Sequence, residues 1–80
     1  MSRDEIIAKL IELAGQVFRA DTTGFGADTK IHEALGTKSL LRMGFLAQIE
    51  EEYEAMIPIA EFGKIETFGD LADRVIEEME

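Results

Sequence analysis

Apolar residues recur along this chain at the spacing of a helix face, and nowhere do they alternate with polar ones over a useful length. That pattern admits helices and argues against a sheet, because a half-buried strand needs a period of two. With 80 residues there is room for one domain, residues 1–80, which buries about 60% of the surface its unfolded form exposes. A deep enzyme pocket does not fit in so small a core. The expected fold is all-α, a small bundle of three main helices plus one short helix.

The first helix is expected over residues 2–18. Ser2 followed by Glu5 has the spacing of a capping box, and Ile6, Ile7, Leu10, Leu13, Ala14, Val17 and Phe18 form its apolar face. Gly15 weakens this helix and marks a candidate close approach of another element. Residues 19–38 read as one long connection rich in turn formers, with Ile31 and Leu35 as its apolar anchors. A structureless loop of that length is uncommon in a small domain and calls for a reason. His32 reads as a surface residue of this loop rather than a catalytic base.

A second helix is expected from Ser39, or just after it, to about Tyr53. Met43, Leu46, Ile49 and Tyr53 would form its apolar stripe, with Phe45 beside it. Glu50, Glu51, Glu52 and Glu54 crowd its end, where the helix dipole already places partial negative charge. Solubility explains these acids, and so does docking of a basic partner. Ile57-Pro58-Ile59 breaks the pattern, and a short helical turn follows at about residues 60–64. The last helix should start near Thr67, with Thr67 and Asp70 at its cap, and turn Phe68, Leu71, Val75, Ile76 and Met79 inward.

Charge and composition exclude several functions. The formal net charge is -9, so a duplex would repel the chain and nucleic-acid binding is not expected. Residues 1–38 hold six acids and five bases, whereas residues 39–80 hold eleven acids and three bases; the second half should steer basic partners. There is no cysteine and a single histidine, so no disulfide, thiolate metal site or His-pair metal site is expected. No apolar run reaches the length of a membrane span and the N-terminus carries no apolar signal core. Cytoplasmic residence and a monomer are the default expectations.

The stretch Leu35-Gly36-Thr37-Lys38-Ser39-Leu40 resembles the L-G-x-D-S-L signature of the acyl carrier protein family. In the same ungapped frame Glu50-Glu51-Glu52-Tyr53 falls on that family's E-E-E-F run, and Ile57-Pro58 on its I-P. Ile65-Glu66-Thr67-Phe68-Gly69-Asp70 falls on I-T-T-V-G-D, and Ile31 takes a loop phenylalanine's place. The resemblance covers residues 31–76 closely and the first helix by pattern. It implies that Ser39 receives a covalent 4′-phosphopantetheine arm from coenzyme A, and that Leu40 packs under the arm or against a partner. Phe45, Leu46, Ile49 and Ile65 would line a cargo cavity between helices, although the same residues would serve equally as ordinary core.

The chemistry of the residues agrees with that implication. A serine opening a helix lies among unpaired amides at the positive end of the dipole, where an anionic ester is favoured. Gly36 lets the chain turn tightly before the helix. Ser39 has no base beside it, so it would be an attachment point and not a catalyst. Taken alone, a serine there would be a plain N-cap.

The chain departs from the family pattern at three acids and adds one base. Lys38 replaces the aspartate before the serine, and Leu41 and Gly44 replace two further acids, while Arg42 adds a positive charge. Lys38, Arg42, Gly44, Glu50 and Glu51 are the expected partner-facing residues. A mid-helix glycine such as Gly44 suggests a partner approaching closely, or simple tolerance. These departures point to a specialised carrier with partners of its own. Those partners would be a phosphopantetheinyl transferase, an acyl- or aminoacyl-loading ligase, and downstream synthases or transferases. The competing reading is an unmodified, carrier-like interaction module that binds through its acidic second half. A stand-alone enzyme is not expected, because no paired carboxylates and no Ser-His pair are legible.

Overall fold

The computed structural model describes residues 1–79. Ser2 caps the first helix, α1 (Arg3–Phe18), through the expected reciprocal box. Its Oγ accepts from the Glu5 amide at 3.1 Å while Glu5 Oε1 accepts from the Ser2 amide at 3.0 Å. The bond from the Ser2 amide, with a smaller contribution from the Ser2 side chain, holds the Glu5 carboxyl below the usual carboxylate range. Ile6, Ile7, Leu10, Leu13 and Ala14 are buried, with Val17 and Phe18 packed against them. Gly15 does mark a close approach: a Cβ there would stand 3.1 Å from the Thr22 methyl.

The connection that follows holds a further short helix, α2 (Ile31–Leu35). A single turn is too short to show periodicity, but its cause was present, because Ile31 and Leu35 are four residues apart and share a face. Ile31 is buried, and Leu35 packs on the core. The loop before α2 is tied down by backbone bonds: Ile31 donates to the Glu66 carbonyl at 2.9 Å and Gly69 to that of Ala27 at 2.8 Å. Among the described residues, extended pairing is limited to the antiparallel bridge between Lys30 and Thr67.

The third helix, α3 (Ser39–Tyr53), has the expected bounds. Its buried residues are Phe45, Ile49 and Tyr53, set one turn apart. Met43 does not join the stripe as expected: it is 57% exposed. Two residues advance a helix by about 200°, so burying Phe45 turns Met43 to solvent. A short helix, α4 (Ile59–Phe62), follows the proline. The last is α5 (Phe68–Met79), at whose start Thr67 Oγ1 accepts from the Asp70 amide at 3.1 Å. Phe68, Leu71 and Val75 are fully buried, whereas Met79, expected inward, is 46% exposed at the helix end.

α1 packs against both α3 and α5, and α4 lies on α3. Phe45 is the joint between these layers. Its ring meets Phe18 of α1 and Phe62 of α4 edge-on, each at 5.9 Å between centroids, a favoured aromatic geometry.

Gly44 is not outward-facing as expected. It is partly buried toward α1, and a Cβ there would lie 3.5 Å from Val17 Cγ1, an ordinary contact. Gly44→Ala should therefore raise stability by about 0.5–1 kcal/mol in chemical denaturation, because alanine removes the glycine penalty without a clash. Glu54 ends α3 in the left-handed region at φ 56°, where a side chain is strained and glycine is at ease. Glu54→Gly should also stabilise, by about 0.5–1 kcal/mol net of the flexibility that glycine adds.

The depressed Glu5 carboxyl contributes stability above the ordinary carboxylate range, and this is lost as pH falls through its folded-state value. Glu5→Gln keeps a capping side chain without the charge, so an acid titration of unfolding free energy should be flatter in that variant.

Candidate functional site

Gly36 ends α2 with φ 85°, and residues 37–38 lead directly into α3. The N-cap of α3 is Lys38, which makes no side-chain capping bond, and the intrahelical ladder begins when the Arg42 amide donates to the Lys38 carbonyl at 3.0 Å. Ser39 is thus the first helical residue and not the cap. Its amide and the next two lie in the turn whose donors have no intrahelical acceptor. The first turn of α3 contains no acid. Ser39 and Leu40 are both exposed, Leu40 at 81%. The result is an accessible alcohol at the positive end of a helix of 15 residues, a setting that suits an anionic ester.

The basic residues around it divide. Lys38 is exposed. Arg42, expected to face a partner, turns inward instead: its Nη2 lies 2.8 Å from His32 Nδ1, and its guanidinium sits 5.6 Å from the centre of the Phe62 ring. His32 is likewise not a loop surface residue. It belongs to α2 and is partly buried, with Nε2 3.2 Å from the Phe62 carbonyl oxygen and 2.8 Å from that of Ile65. Residue spacing could not reveal this link, since its members lie on separate elements.

Glu50, Glu51, Glu52 and Glu54 are all exposed, and none forms an ion pair among the described residues. Beside them Tyr53 is buried, and that burial, with the Glu52 carboxylate adding to it, pushes the phenol above its usual range. Four exposed acids are thus gathered at the end of α3 opposite Ser39.

Of the four residues expected to line a cargo cavity, Phe45 and Ile49 are fully buried core, and Leu46 and Ile65 are partly buried against it. An open cleft of about 230 Å³ lies instead among Lys30, His32, Glu33 and Glu66. Among the described residues no group of histidine, aspartate and glutamate is arranged to hold a metal ion. No helix there is long and apolar enough to cross a membrane.

Comparison with known proteins gives this geometry a context. The family described as a phosphopantetheine attachment site matches residues 8–75, most of the chain. The acyl carrier protein of Lactobacillus acidophilus is 34% identical over 70 residues, covering 88% of each chain. The site fits the group that this family carries covalently, 4′-phosphopantetheine, because it offers an exposed alcohol, unpaired amides and no carboxylate in the same turn. The chain belongs to the acyl carrier protein family: it is a carrier working with partner enzymes, not itself an enzyme.

Proposed function

We propose that Ser39 is the residue that bears the arm, and that the chain presents acyl or aminoacyl cargo to enzymes docking along α3. The observation that carries this reading is the exposed Ser39 hydroxyl on the first residue of α3, one position past the cap. In the loading reaction a transferase joins Ser39 Oγ to the β-phosphorus of coenzyme A. The pyrophosphate bond breaks, adenosine 3′,5′-bisphosphate leaves, and the hydroxyl proton passes to a base of the transferase. The bound arm supplies a thiol that holds cargo as a thioester.

This chain's own residues do the presenting. Leu40, exposed beside Ser39, offers an apolar contact to the arm or to a docked enzyme. Glu50 and Glu51 attract basic surfaces, and the acidic second half raises the encounter rate. Holding the cargo on a tether raises its local concentration at the docked enzyme. Leu46 and Ile65, at the edge of the core, are the side chains that would part first to shelter a cargo chain, with Phe45 and Ile49 behind them. Its partners are then a phosphopantetheinyl transferase, a loading ligase and downstream synthases or transferases, met by a monomer in the cytoplasm.

A second reading, an interaction module that takes no arm, is favoured by one observation. Lys38, exposed next to Ser39, puts a positive charge where the family carries an acid. Intact mass separates the two readings. Incubation with coenzyme A and a broad-specificity transferase should add one phosphopantetheine to the wild type and nothing to Ser39→Ala. No gain with any of several transferases would sink the carrier-arm assignment and leave the interaction module.

A further inference from the structure

His32 stands on α2, before the serine turn, and Arg42 on α3, three residues past Ser39, and their side chains meet at 2.8 Å. The ring's hydrogen can be placed by chemistry. Nε2 faces two carbonyl oxygens, which only accept, so it carries the proton and shares it between Phe62 and Ile65. Nδ1 keeps a lone pair, and the guanidinium donates to it. Both side chains also lie on Phe62: the His32 ring meets it edge-on at 5.1 Å and Arg42 covers it at 5.6 Å. These contacts cross-link α2, α3, α4 and the turn after α4.

Arg42 gains this position at a cost. Its Nε is buried with no hydrogen-bond partner, a penalty that an apolar side chain filling the same space would avoid. Packing alone therefore does not explain an arginine here. What the pair does do is close the stretch from His32 to Arg42 onto itself, with Ser39 inside it. Past Leu35, which packs on the core, no side chain caps the start of α3 and Gly36 sits at φ 85°.

We propose that His32 and Arg42 are positioning residues for Ser39, a cross-link between α2 and α3 that holds the serine turn in the shape the transferase recognises. The inference rests on the reading of Ser39 as the attachment residue. It also accounts for the placement of Arg42: a charge that would face a docking enzyme is held inside, so Lys38 alone makes the first turn basic.

The test measures arm transfer from coenzyme A by one phosphopantetheinyl transferase on the full apo chain. It compares wild type with His32→Ala, Arg42→Met, their double variant and Arg42→Lys. Hydrogen exchange at the amides of residues 36 and 42, which donate to the His32 and Lys38 carbonyls, is followed in parallel, with protection in α1 and α5 as the control for folding. Each single variant should lower kcat/KM by about tenfold, as expected when one charge-assisted hydrogen bond stops organising the turn. The double variant should fall no further than the worse single one. Exchange should rise at residues 36 and 42 while α1 and α5 stay protected, and Arg42→Lys, which keeps a donor, should recover part of the rate.

Values within twofold of wild type, or losses that add in the double variant, would overturn the proposal. If His32→Ala does not fold, the two Arg42 variants decide it on the same criteria. A wild type that takes no arm at all counts against the attachment reading instead, and unchanged exchange at residues 36 and 42 would then refute the cross-link independently.

Discussion

The burial of Phe45 is the interaction on which the rest of this structure depends. One ring, fully buried and held edge-on between Phe18 and Phe62, fixes the rotation of α3 about its axis. That rotation decides which side chains reach solvent. It sends Leu40 and Met43 outward, turns Gly44 toward Val17, and brings Arg42 over Phe62. α4 is a single turn and cannot persist without tertiary support. Its place on α3 comes from Phe62 packing against Phe45, and the two carbonyls that bind His32 come with it.

The long helices, and the opening of α3 at Ser39, were legible because both leave local marks. The capping box of α1, the bounds of α3 and the Thr67–Asp70 cap are written in residues three or four apart, within reach of pattern reading. The signature around Ser39 is local too. Features that depend on side chains meeting across the fold were not legible. Met43 and Phe45 are both apolar, and only the packing against α1 and α4 selects Phe45. His32, alone in a turn-rich stretch, gave no sign that its ring would bridge three elements. The sequence shows the charge of Arg42 but not its direction, and charge alone points outward to a partner.

The acids tell a different story from the core. Glu50 to Glu54 sit at the negative end of α3, exposed and outside every ion pair among the described residues. The last of them occupies a left-handed position that suits glycine better. Both features oppose helix stability. Elsewhere the same chain follows local rules closely, placing Asp4 and Glu5 in the first turn of α1 and pairing Arg74 with Glu61 and Glu78. Local violations in an otherwise consistent sequence concentrate where function sets the residue, and the function proposed for these acids is attraction of a basic surface.

The start of α3 makes the same argument from the other side. A sequence that served only the helix would place a serine or aspartate at the N-cap and an acid in the first turn, satisfying the orphan amides at once. Here lysine holds the cap, the serine comes one residue late, and no acid follows. That single step of register keeps the alcohol from serving as the cap and leaves it accessible, with the amides still able to meet an incoming anion. Solvent alone does not hold such a turn in one shape. A cross-link drawn from the core side, through His32 and Arg42, can fix it without covering Ser39.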